Sequence, residues 1–144
     1  MKIVVGVDES DMSKQALARA LELTEMSKGT LDVVYAAYVP AAVMAAMSGV
    51  AVALDEMISG SREAVWKALE PMLEGASERV RTVDLEGYPA DMIIQHAADV
   101  GADLIVVGTR GRGPMASMLL GSTSHKIVNH APCDVLVVRP REKS

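Results

Sequence analysis

The sequence predicts an α/β fold, a five-stranded parallel sheet with helices on both faces. Three observations carry this expectation. Short Val- and Ile-rich runs recur along the chain, bounded by turn residues, as fully buried parallel strands require. The stretches between them repeat apolar residues at helical spacing. No domain boundary or internal repeat interrupts the 144 residues, so residues 1–144 read as a single domain able to bury one core.

Lys2–Asp8 reads as the first strand, ending in a polar turn. Ser10 or Asp11 caps the helix that follows, in which Ala16, Leu17, Ala20, Leu21 and Thr24 share a face, and Gly29 stops it. Leu31–Val39 is the second strand. Val33–Leu54 carries no charge and is long enough to raise the question of a membrane span. Pro40 divides it, its second part is mostly Ala, Gly and Met, and no basic cluster flanks it. A buried strand followed by an apolar loop or helix start is expected instead, with no membrane partner. From roughly Ala53 to Gly75 the spacing predicts a helix with Trp66 and Leu69 inward, kinked or ended by Pro71.

Val80–Leu85 is the third strand, interrupted by Arg81 and Asp84. Pro89 suits the first turn of a helix to about Val100, with Met92, Ile93, Ala97 and Val100 inward, although Tyr88 before it is a poor cap. Asp103–Gly108 is the fourth strand. A glycine-rich loop leads to a short helix, Ser122–Asn129, which Pro132 closes; Asp134–Arg139 is the last strand.

Composition narrows the function. The net charge is −5, there is no Phe, and only one Trp and three Tyr are present, which argues against general nucleic-acid binding. The ten Met read mainly as core packing. Cys133 is the lone cysteine, so no intramolecular disulfide forms, and a reducing, cytoplasmic location fits. His125, His130 and Cys133 do not share a helical face, so no metal site is expected; His125 should contact the phosphate loop and His96 should sit at the core edge. No nucleophile elbow is visible, and no catalytic residue is assigned.

In parallel α/β sheets ligands sit beyond the carboxyl ends of strands, where strand order reverses. That singles out Asp8–Ser10 and the segment Gly108–Gly121. The second contains Gly108, Gly111, Gly113 and Gly121, with Arg110 and Arg112 between, and then Ser122, Thr123 and Ser124 opening a helix. Glycines let an anion approach the backbone, and a helix N-terminus favours phosphate. Pro114 stands where a P-loop needs Lys. Gly111-x-Gly113-x-x-Ala116 is a partial dinucleotide fingerprint, but Asp134 begins its strand where the ribose-binding acid should end one. A phosphoreceiver reading of Asp8–Glu9 would need a phosphoacceptor after the third strand and Lys after the fifth, where Arg139-Pro140 stands.

Gly108-x2-Gly111-x9-Gly121-Ser122 resembles the nucleotide-binding pattern of ATP-binding universal stress proteins. MKIVVGVDES, GADLIVVGTRGRG and HAPCDVLVV resemble the same family's opening and last two strand regions. The resemblance implies a Rossmann-like sheet, of the adenine nucleotide alpha hydrolase-like kind, in the order 3-2-1-4-5. It implies ATP, AMP or a related adenine nucleotide as ligand, with any Mg²⁺ held mainly by the phosphates. Asp8 would bond the ribose, with Val7 and the Val39 backbone near adenine. Gly108, Thr109, Gly111, Arg112, Gly113, Gly121, Ser122 and Thr123 would surround the phosphates, with Ser124 beside them. Glu9 departs from the Gly common there and puts negative charge near the phosphate path. The resemblance also implies a homodimer through the last strand, at Val135, Leu136, Val137 and Val138, an apolar edge that proteins cover or pair.

The function expected is a dimeric ATP/AMP-dependent switch in stress response. Slow ATP hydrolysis or self-phosphorylation on Ser122, Thr123 or Ser124 is one alternative. A partner-binding scaffold independent of nucleotide, using the apolar connector Ala41–Val52, is the other.

Overall fold

A computed structural model describes residues 1–46, 51–109 and 120–141, the side chains of 51–53 excepted. Its elements are β1 (Lys2–Val7), α1 (Asp11–Ser27), β2 (Thr30–Ala37), α2 (Ala41–Ala46), α3 (Ala51–Leu73), β3 (Val80–Glu86), α4 (Pro89–Val100), β4 (Leu104–Gly108), α5 (Ser122–His130) and β5 (Asp134–Val138). The strands form one sheet in the order β3-β2-β1-β4-β5, and every neighbouring pair is parallel. Fold class and strand order are those expected.

Successive strand residues face opposite sides of the sheet, so the apolar runs of β1 and β2 supply two cores. Ile3, Val5 and Val33 pack with Leu17 of α1 and Leu69 of α3. Val4, Val34 and Ile105 pack with Ile93 of α4 and Ile127 of α5. Gly29 lets the chain turn tightly into β2. A Cβ there would lie 2.1 Å from the Met1 carbonyl oxygen, which accepts a hydrogen bond from Thr30 N at 2.9 Å.

Of the two readings of the connector, loop or helix start, the described part is helical. Ala41–Ala46 is helical with no buried residue, and α3 is already under way at Ala51. The uncharged run Val33–Leu54 is thus divided among buried β2, exposed α2 and the start of α3, with residues 47–50 outside the described set. Among the described residues no helix is long and apolar enough to cross a membrane. Pro71 does not stop α3 at once; the helix runs to Leu73, and Gly75 turns the chain at φ +75°. Pro71 removes only its own N–H, and Glu74 N still reaches Glu70 O at 2.9 Å.

Arg81 and Asp84, which interrupt the apolar pattern of β3, are explained by its place at the sheet edge. Trp66 Nε1 donates to Asp84 Oδ1 at 2.6 Å, and Arg62 pairs with Asp84 and Glu86. Arg81 reaches the inner strand. Its Nη2 donates to Asp32 Oδ2 at 2.7 Å and its Nε to Oδ1 at 3.2 Å, while Lys2 Nζ and His96 Nε2 close on the same carboxylate at 2.8 and 2.7 Å. Because a carboxylate only accepts, His96 carries its proton on Nε2. Asp32 is fully buried. Burial pushes its carboxyl up, but the hydrogen bonds from Arg81, Lys2 and His96 outweigh that and hold it at about 2.

Candidate functional site

β1 and β4 are neighbours, with Val5 opposite Val106, although four helices and two strands separate them in sequence. Here strand order reverses, and Asp8 and Ser10 of the first segment singled out by the sequence line one cleft with Gly108 of the second. After Val7 the chain leaves the sheet through Asp8, Glu9 and Ser10. Ser10 caps α1 by accepting from Ser13 N. Ser13 Oγ in turn donates to Asp8 Oδ1 at 2.8 Å and accepts from Asp8 N at 2.6 Å, while Ser10 N donates to the same Oδ1 at 2.7 Å. These bonds fix the carboxylate through Oδ1. Oδ2 receives no donor from the described residues, so it can accept from a ligand hydroxyl.

Across the cleft, Gly121 is the N-cap of α5, in extended backbone and with no side chain capping the helix. The first N–H groups of α5 therefore have no side-chain cap among the described residues and carry the positive end of the helix dipole. Three bonds hold this helix start against the sheet. Ser124 Oγ donates to Gly108 O, Gly121 N to Thr109 O at 2.6 Å, and Thr109 N to Val138 O at 3.0 Å. Buried Ser124 thus fastens α5 to β4 rather than presenting its hydroxyl to the cleft.

The cleft holds about 100 Å³, room for the sugar or a phosphate group of a ligand. Of the residues expected at the site, Val7, Asp8, Gly108, Thr123 and Ser124 line it. Buried Thr109 and Gly121 form the base beside it, and Ser122 is exposed at the start of α5. Val39 lies beyond the end of β2 and is not part of the lining; Ala36 is. Gly111, Arg112 and Gly113 fall outside the described residues. Glu9 turns toward α3, where its carboxylate accepts from Ser61 Oγ at 3.2 Å, and it does not line the cleft.

Sequence reasoning missed part of the lining. Gly6 brings the floor close to α4, since a Cβ there would lie 2.5 Å from Ile93 Cδ1. A lone glycine inside a valine-rich strand was the available signal. Ser13 carried no signal beyond its spacing from Asp8. Tyr88, the poor cap, has a packing role. Its ring meets Tyr38 edge to face at 5.3 Å and carries Lys126 Nζ at 5.0 Å. Asp91 bonds that ammonium at 2.6 Å and raises its pKa. His125 meets Asn129 on its own helix, and residues 110–119 of the phosphate segment, which it was expected to contact, lie outside the described residues.

Comparison with known proteins assigns this architecture. The model of the universal stress protein family matches residues 1–139. The chain belongs to the universal stress protein family. Universal stress protein YxiE of Bacillus subtilis is 33% identical over 145 residues, covering 96% of this chain and 98% of its own length. The structure of universal stress protein UspA from Lactobacillus plantarum superposes with a TM-score of 0.85 at 26% identity, covering 96% of this chain and 97% of that one. A universal stress protein solved in complex with cAMP superposes with a TM-score of 0.71 at 26% identity, covering 96% of both chains.

Proposed function

We propose that this family member binds an adenine nucleotide in the cleft between β1 and β4 and acts as a nucleotide-dependent switch. The observation that carries the reading is the pairing of a fixed carboxylate with an uncapped helix start. Asp8 offers Oδ2 to a ribose hydroxyl, and the first N–H groups of α5 offer donors to phosphate. The cAMP complex of a structural relative supports the ligand class. Glu9 bonds to Ser61 and so directs its charge away from the phosphate path. Any Mg²⁺ that accompanies the nucleotide would be held mainly by its phosphates.

Among the described residues that line the cleft, Asp8 is the one ionisable side chain, and the ribose role assigned to it makes the proposed activity binding rather than turnover. Response to the nucleotide would pass to a homodimer. β5 is an edge strand whose Val135, Leu136, Val137 and Val138 are all partly exposed. Exposed Val43 and Met44 on α2 supply a further apolar face for a partner.

Calorimetry with ATP and Mg²⁺ on nucleotide-stripped protein tests the reading. Saturable binding that disappears in Gly121→Val supports it. Absence of binding by the folded wild-type protein overturns it in favour of a scaffold.

A further inference from the structure

β3 closes the sheet on the side away from β5, and its outer edge faces a groove of about 930 Å³. The backbone there has a definite polarity. Leu31 N donates to Arg79 O, and eight residues later Gly87 N donates to Ala37 O. In a parallel ladder the residues of one strand alternate between bonding inward and pointing outward. Arg81, Val83 and Leu85 therefore bond to β2, and Thr82, Asp84 and Glu86 turn their N–H and C=O groups to the open side. Such a row is a template for an added strand.

The facing wall is α3, which presents Trp66 and Leu73 as apolar surface. The indole is held from two sides, by its bond to Asp84 and by the edge-to-face contact with Tyr35 at 6.4 Å between centroids. A fixed aromatic ring of this kind suits an anchoring contact.

Charge selects the occupant. Glu63, Glu70 and Glu74 on the wall and Asp84 and Glu86 on the strand outnumber Arg62 and Lys67, and Arg62 is already paired with the strand's two acids. Among the described residues no ion pair reaches Glu70 or Glu74. These two lie one helical turn apart, about 6 Å along the axis. Alternate residues of an extended chain are about 6.7 Å apart, so two cationic side chains on one face of a strand would each meet one carboxylate. A second copy of this chain would bring the same acidic edge and is disfavoured.

We propose that the β3 edge and the α3 wall form a docking groove for an extended, basic segment of a partner protein, which adds to the sheet as a sixth strand. Trp66 is the chain's one tryptophan, so its fluorescence reports on the groove directly. The probe is the peptide acetyl-Lys-Val-Lys-Leu-Lys-Val-Lys-amide, titrated into the full-length protein. Saturable change in Trp66 emission is expected, with affinity reduced about tenfold or more in the double variant Glu70→Lys, Glu74→Lys. Thr82→Pro should reduce it comparably. Proline is tolerated on an edge strand where the N–H faces outward, so the fold is retained. The same peptide N-methylated at alternate amides should fail to bind wild-type protein, a test independent of any variant's folding. Absence of saturable binding would overturn the proposal. So would undiminished binding of the N-methylated peptide, which would reduce the groove to a site of charge attraction.

Discussion

Removing the Asp32 carboxylate as Asp32→Ala should cost about 3 kcal/mol of folding stability, the range found when one partner of a buried charge cluster is lost. The magnitude follows from what remains. The side chains of Lys2 and His96 are 24% and 13% exposed, so both stay largely out of water with no acceptor in place of Asp32. The Arg81 side chain is 61% exposed and recovers water, so its share is that of a surface pair, below about 1 kcal/mol. With unfolding entropy near 2.1 cal/mol/K per residue, a loss of about 3 kcal/mol lowers Tm by about 10 °C in a chain of this length. Thermal and urea melts at neutral pH, followed by circular dichroism, measure it. The pH dependence has a fixed sign. The folded-state carboxyl sits at about 2 against 3.8 for the ordinary group, so its contribution is full above 3.8 and is lost as pH falls from there toward 2. Wild type and variant should converge over that window. A neutral-pH loss below about 1 kcal/mol, or a difference that does not shrink on acidification, would refute the reasoning.

Ser13→Ala removes both bonds that Ser13 makes to Asp8 and should weaken nucleotide binding about tenfold by calorimetry while costing about 1 kcal/mol in a urea melt. Gly29→Ala should destabilise by about 2 kcal/mol or more, because the added methyl would meet the Met1 carbonyl where β2 begins; an unchanged melt would show that the Met1 end of the chain yields freely. On β5, Val138 O accepts from Thr109 N, so the alternation turns the Val137 N–H outward. Val137→Pro should therefore convert a homodimer to monomer in light scattering at micromolar concentration, and a persistent dimer would place the interface elsewhere.

Much of the fold was legible because each strand is an apolar block and most helices carry a polar face to contrast with an apolar one. Helix α2 was not, since Ala41–Ala46 is apolar throughout and offers no periodicity to read. The Asp32 cluster was also hidden. Its partners lie 30, 49 and 64 positions away, and only the parallel pairing of β1, β2 and β3 and the packing of α4 bring them together. At the cleft, Asp8 and Gly108 could be named from their positions at strand ends. The Ser13 bonds could not, because they depend on how sharply the chain enters α1. Val39 was read as the end of the second strand because the apolar run continues past Ala37, where β2 ends.

The measurement that tests the central claim most directly is an AMP titration of ¹⁵N-labelled protein, read in two-dimensional amide spectra. Binding in the proposed cleft predicts saturable shifts concentrated at Gly6, Asp8, Gly108, Thr123 and Ser124, with β3 and α3 unmoved. Spectra that do not change, or shifts gathered along the β3 edge instead, would contradict it.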